Sequence, residues 1–149
     1  MNASRSRGLP SGDRACPLHG PGLPAAALVG RRLESVVTSW HRSETAAPSG
    51  PLDVWLIDAT GASVHLTTGS EWCLIVAEGR PHTGYDLGPD GRLAVVPLAD
   101  GTPFAAHLGQ RVTAVGEEYE EHTGRVAVEI AFATGRVRCD SRAGELRVT

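Results

Sequence analysis

Arg125-Val-Ala-Val-Glu-Ile-Ala-Phe-Ala-Thr-Gly135 decides the fold class. Val126, Val128, Ile130 and Phe132 alternate with Arg125, Ala127, Glu129 and Ala131, the period-2 pattern of a strand with one buried and one wet face. Thr134-Gly135 supplies a tight turn. Val137 and Cys139 point inward on the returning strand, and Ser141 to Gly144 turns the chain into a last strand carrying Leu146 and Val148. Strict alternation implies antiparallel pairing.

Comparing the chain with itself extends this reading toward the N-terminus. Pro24-Ala-Ala-Ala-Leu-Val-Gly-Arg-Arg-Leu-Glu-Ser-Val36 aligns without a gap on Pro103-Phe-Ala-Ala-His-Leu-Gly-Gln-Arg-Val-Thr-Ala-Val115, at an offset of 79. Val54 to Gly61 then aligns on Val128 to Gly135, and Glu71 to Leu74 on Glu145 to Val148, both at an offset of 74. The change of offset falls in the loop around Thr45 to Pro51, where an insertion is tolerated. Each unit reads as a helical turn opened by Pro and closed by Gly30 or Gly109, a strand over 32–40 or 110–117, a hairpin and a final strand. The expected architecture is mainly β: two related antiparallel units, each a helical turn plus about four strands, form one sandwich or partly open barrel. The expected boundaries are a disordered tail over 1–22 and one domain over 23–149. Its pseudo-repeats, about 24–77 and 103–149, are joined by 78–102. Leu93 to Leu98 is a further strand expected to bridge the halves, bringing the total to about nine. The tail holds Gly8, Pro10, Gly12, Pro17, Gly20, Pro21 and Gly22 and has too little apolar surface to offset its ordering entropy.

The 149 residues are 41% hydrophobic with a formal net charge of −3, which suits one ordinary domain. Residues 1 to 27 are net basic and the rest net acidic, so a duplex-binding function is disfavoured. All 14 basic residues are Arg, a composition typical of a GC-rich, actinobacterial-type bacterial genome. No apolar run approaches the roughly 20 residues of a membrane-spanning helix. Leu23 to Val29 is too short for a secretory signal. Cys16, Cys73 and Cys139 are odd in number and none lies in a CxxC pair, so reduced thiols in the cytoplasm are expected. Cys16 and His19 form a C-x-x-H with no second ligand pair, and the six histidines show no metal-binding spacing; no metal or cofactor is expected.

Differences between the units point to function. Trp40, Trp55 and Trp72 all belong to the first. With Val54, Leu56, Val64, Leu66, Trp72, Leu74 and Val76 inward, the opposite face shows Trp55, Ile57, His65, Cys73 and Ile75, against Glu129, Ala131, Arg138, Arg147 and Thr149 in the second unit. An apolar face of that size has three expected fates: cover by 78–98 or the other sheet, contact with a second copy or a protein partner, or the lining of a small-ligand pocket. His65 and Cys73 are expected as cross-strand neighbours, but with no acid or oxyanion donor beside them they suggest no catalysis. Glu117-Glu118-Tyr119-Glu120-Glu121 is the one dense charge run, either a solvated hairpin end or an acidic patch for a basic partner. Asp58, Asp86 to Gly91 and Asp100-Gly101 read as turns. No GxSxG, P-loop or GxGxxG is present. The first functional expectation is therefore a non-catalytic protein-interaction module of homodimeric, immunity or regulatory type. The second is a small-ligand β barrel lined by the tryptophans, and an enzyme is third.

Overall fold

A computed structural model describes residues 22–43, 50–69, 71–97 and 102–149. The tail before residue 22, the loop tip at 44–49 and Asp100-Gly101 lie outside the described residues. The chain is mainly β, with ten strands in two antiparallel sheets among the described residues. The first unit supplies β1 (Leu33–Arg42), β2 (Asp53–Asp58), β3 (Ser63–Thr68) and β4 (Leu74–Glu78). The intervening segment supplies β5 (Tyr85–Asp86) and β6 (Arg92–Pro97). The second unit supplies β7 (Ala114–Glu120), β8 (Gly124–Phe132), β9 (Gly135–Arg142) and β10 (Glu145–Val148). The sheet orders are β4-β3-β2-β1-β6-β5 and β10-β9-β8-β7.

Alternation explains why these segments pack. Val54, Leu56, Val64, Leu66, Leu74 and Val76 of the six-stranded sheet share one core with Val128, Ile130, Val137, Cys139 and Leu146 of the four-stranded one. Two sheets that bury facing residues in a common core make a sandwich. Short 3-10 turns at Ala25–Leu28 and Pro103–His107 close its sides by burying Ala25, Leu28, Phe104 and His107. His107 stacks on Phe132 at 4.7 Å, and Phe104 meets the same ring edge-on at 6.4 Å. After each turn the backbone enters the left-handed region, at Gly30 with φ 89° and at Gly109 with φ 84°, where a side chain would be strained.

The two stretches that align at an offset of 79 meet each other. Gly30 N–H donates to Val112 O and Gly109 N–H to Leu33 O, at 2.8 and 2.7 Å; Leu33 N–H donates to Gln110 O and Val112 N–H to Arg31 O, both at 2.9 Å. Exchanging residues 79 apart converts each bond into its counterpart, and the bridge Arg32–Arg111 maps onto itself. This contact explains why the first strand of the second unit starts at Ala114 and not at residue 110: the backbone of 110–112 is paired with 31–33.

Several other expectations are corrected. β6 pairs along the outer edge of β1, from Val37–Pro97 to Arg42–Arg92, so it extends the first sheet and does not bridge the halves. Val126 is not a core residue. The register slips between Glu118 and Tyr119, a bulge opposite which Val126 has no partner, and Arg125 takes the buried place. Trp72, expected inward, is exposed at φ 70°, and the turn before β4 is longer than the Ala143-Gly144 turn before β10. Leu74 of β4 therefore faces the core as Leu146 does, two positions away from the alignment at 74. The reduced-thiol expectation holds for Cys139, a buried free thiol, and fails at Cys73, which is disulfide-bonded.

Candidate functional site

The outer face of the six-stranded sheet gathers the polar chemistry of the first unit. Cross-strand pairing places Ser39 opposite Asp53, Asp53 opposite Thr67, and Trp55 opposite His65. Period-2 alternation turns all five side chains to the same face, away from Val54 and Leu66. Over them runs the segment 79–86. His82 meets Trp55 edge-on at 5.2 Å, while His65 stacks flat on the indole at 4.9 Å. Tyr85 continues the row at 5.6 Å from His82. The roof is held close: a Cβ on Gly84 would lie 2.4 Å from Leu93 O, so only glycine fits there. Farther along, the His41 ring nitrogen Nε2 bonds Asp90 O at 2.5 Å and pins the turn Gly88–Asp90 to β1.

Asp53 is the centre of this cluster. Its Oδ2 accepts the Ser39 hydroxyl at 2.5 Å, its Oδ1 bonds His65 Nε2 at 2.6 Å, and His82 Nε2 stands 3.8 Å from Oδ2. His82 Nδ1 accepts Gly84 N–H at 3.0 Å, which leaves Nε2 to carry the proton toward Asp53 in the neutral ring. Burial works to raise the Asp53 pKa, but the hydrogen bonds from His65 and Ser39 and the positive charge available on His65 hold it below the usual carboxylate range.

Ser, Asp and His lie together here, but not in the arrangement of a nucleophilic triad. The buried Ser39 hydroxyl donates to the carboxylate, whereas an activated serine donates to an imidazole that takes its proton. A carboxylate stabilised in its charged form is a poor base for that purpose. What the arrangement does is fasten the 79–86 segment to the sheet. Among the described residues, no group of three His, Cys, Asp or Glu side chains has the geometry to hold a metal ion.

The face singled out from the sequence is therefore met by 79–86 at Trp55 and His65. Trp55 is 1% exposed and Cys73 is buried; Ile57, His65 and Ile75 are half-buried. Asp53, Ser39 and His82 were missed, although Asp53 shares the parity of Trp55 and Ile57 and one more step of alternation finds it. His65 and Cys73 are not cross-strand neighbours, because His65 pairs with Ala77 and Cys73 stands opposite Gly69 at the far end of the ladder. The three tryptophans do not line one cavity. Trp40 points to the opposite side of the sheet from Trp55 and donates to Thr38 Oγ1 at 2.8 Å, and Trp72 stands at the end of the sandwich.

The acidic run divides by strand parity. Glu117 and Tyr119 turn toward the core side, where Glu117 Oε2 accepts the Tyr119 hydroxyl at 2.7 Å and the buried Arg125 at 3.0 Å. Glu118 turns outward onto Arg138, whose guanidinium also meets Asp140 at 3.1 Å; Arg147 meets Asp140 at 3.0 Å. The hydrogen bond from Arg138 holds Glu118 below its usual range. Burial alone would raise Asp140, and the bonds from Arg147 and Arg138 outweigh it and lower it. Glu120 and Glu121 remain exposed. Burial, with the Asp140 charge beside it, pushes the Cys139 thiol up to about 12, so it is inert at neutral pH.

At the end of the sandwich where β3 runs into β4, Trp72 is 58% exposed and Leu52 42%. Thr68 Oγ1 donates to Gly144 O across the two sheets at 2.7 Å, and a Cβ on Gly144 would lie 3.2 Å from the Trp72 ring. The indole thus lies over the β9–β10 turn with most of its surface toward solvent. Among the described residues, no helix is long and apolar enough to cross a membrane. Comparison of the chain with protein-family models, with curated proteins and with solved structures finds no match.

Proposed function

We propose that the chain is a non-catalytic interaction module that joins a second copy of itself through the end of the sandwich carrying Trp72. The observation that supports this most is the state of that residue. A non-glycine residue in the left-handed region carries a strain of about 1–3 kcal/mol, and Trp72 carries it at φ 70° while leaving most of its ring in water. Exposed aromatic surface and backbone strain at one position are features of contact sites. The surrounding charges have both signs: Arg142 and Glu145 flank the turn under the ring as cross-strand partners. A patch with both signs is self-complementary under a two-fold axis, so Arg142 of one copy meets Glu145 of the other.

Sedimentation velocity across a concentration series tests this. The chain sediments as a dimer that Trp72→Ser dissociates without loss of β-sheet circular dichroism; a monomer throughout the series overturns the proposal.

We further read the two units as products of a duplication, supported by the reciprocal bonds between 30–33 and 109–112. We read the source as bacterial, and composition supports that reading. The cytoplasmic expectation rested on reduced thiols, and the disulfide at Cys73 instead favours an oxidising compartment.

A further inference from the structure

Where the two units touch, the backbone sets like charges side by side. Arg32 and Arg111 form an antiparallel bridge. The bonds on either side of it run from Leu33 N–H to Gln110 O and from Val112 N–H to Arg31 O, so the arginines are a non-hydrogen-bonded pair. Such pairs are the closer kind, with Cα atoms about 4.5 Å apart, and like charges directly opposite are destabilising there. Leu33 and Val112 belong to the core, so the alternate residues Arg32 and Arg111 turn outward, and both are exposed. Of the six identities between 24–36 and 103–115, this arginine is the one charged residue. The helical turns account for the shared Pro, Ala and Gly, and packing accounts for the shared Val. Neither accounts for a charge at 32 and 111.

The surroundings leave the pair accessible. A Cβ on Gly30 or Gly109, two residues before each arginine, would meet nothing within 4 Å. Arg111 Nη1 donates to Gly30 O at 2.9 Å, which lays its guanidinium across the bridge toward the segment that carries Arg32. Among the described residues, the Arg32 guanidinium meets no acceptor. Arg31, by contrast, is engaged by Ala27 O at 3.0 Å and Asp58 at 3.7 Å. Glu34, two residues beyond Arg32, is exposed and forms an ion pair with neither arginine.

We propose that Arg32 and Arg111 together bind a phosphate-type oxyanion, either inorganic phosphate or a phosphate monoester. The two guanidiniums offer two planar forks, each with one positive charge. A phosphate dianion brings a charge near about −2 and at least three acceptor oxygens, enough for a bond from each fork. A carboxylate, with one charge and two oxygens, satisfies a single fork. An anion between the two groups also turns their mutual repulsion into a shared attraction. The site has no residue in common with the Trp72 contact, so either reading can fail without the other.

The test is titration of the full-length chain, isotopically labelled at arginine, with inorganic phosphate and with phenyl phosphate at constant ionic strength. Acetate is the comparison anion, and about pH 7.5 keeps the monoester dianionic, since its second pKa is about 6. Saturable movement of the Arg32 and Arg111 Nε–Hε signals is expected, while exposed Arg136, paired with Glu129, stays in place. Affinity falls about tenfold in Arg32→Gln and in Arg111→Gln, the worth of a charge-assisted hydrogen bond. It falls less in Arg32→Lys, which keeps the charge without the fork, and rises in Glu34→Gln. Unchanged far-ultraviolet circular dichroism shows that these surface variants fold. Tighter binding of phenyl phosphate supports an ester as the ligand, and binding of inorganic phosphate at least as tight supports the free ion. Acetate bound as tightly as phosphate overturns the choice of anion. Shifts that do not saturate, that move Arg136 equally, or that persist at full affinity in Arg32→Gln overturn the site.

Discussion

Replacing Asp53 with Ala removes the group on which the outer-face cluster converges, and the consequence follows from its bonds. Ser39 is fully buried and donates its hydroxyl to Asp53, so the variant leaves a buried donor without an acceptor, a loss of about 1–3 kcal/mol. The 2.6 Å bond to His65 is charge-assisted and adds about 1.5–3 kcal/mol. Some relaxation by His82 and Thr67 offsets part of this, giving an expected destabilisation of about 3 kcal/mol, or about 10 °C in Tm for a domain of this size. Asp53→Asn keeps the shape and an acceptor and is expected to lose about half as much. The pH dependence has a definite sign. Because the Asp53 pKa is depressed in the folded state, its contribution is fully present above the unfolded carboxylate value of about 3.9 and is lost as pH falls through the lower folded value. The gap between wild type and Asp53→Asn therefore narrows below about pH 4. Urea unfolding followed by far-ultraviolet circular dichroism, with the disulfide kept oxidised, measures both effects. A loss under about 0.5 kcal/mol for Asp53→Ala, or a gap that widens with acid, refutes the role assigned to this carboxylate.

Other expected outcomes concern the core, the roof and the thiol. Phe104→Ala, at a fully buried position against Phe132, destabilises by about 3–5 kcal/mol in the same unfolding assay. Gly84→Ala drives a Cβ into Leu93 O and lifts the 79–86 segment, so hydrogen exchange accelerates at Gly84 and Leu93 while the β8–β9 amides keep their protection. Cys139 resists a thiol reagent at pH 8 in the folded protein and reacts on addition of denaturant; rapid labelling of the native chain contradicts its burial. Glu118→Gln, which breaks an exposed pair with Arg138, changes stability by less than about 1 kcal/mol at moderate salt.

What the sequence discloses and what it withholds divide along local and non-local lines. Alternation over 125–132 and the Thr-Gly turns locate β8, β9 and their partners, because strand period and turn chemistry are written in adjacent residues. The reciprocal contact of 30–33 with 109–112 joins segments 79 apart, and self-comparison brings those segments to notice without revealing that they touch. The placement of β6 on β1 was not legible, since a short strand such as Leu93 to Val96 fits any open edge equally well by composition. The bulge that turns Arg125 inward depends on a one-residue slip against β7, which no property of Val126 announces. At the site, Trp55 and His65 were found from parity, but Asp53 reads as a strand-starting turn residue until Ser39 and His65 are seen to meet it. His82 belongs to a Gly- and Pro-rich segment whose path over the sheet is set by its contacts with Trp55 and Gly84. The disulfide at Cys73 had no spacing signal, because an odd cysteine count is equally compatible with none.

The proposed dimer requires Trp72 to be displayed for contact and not to be a stray core residue. The most direct measurement is acrylamide quenching of tryptophan fluorescence in wild type and Trp72→Phe across the concentration range of the sedimentation experiment. A dimer through Trp72 gives an accessible component at low concentration that belongs to Trp72 and becomes protected on association. An accessible component that stays unchanged while the protein self-associates, or the absence of any association, contradicts it.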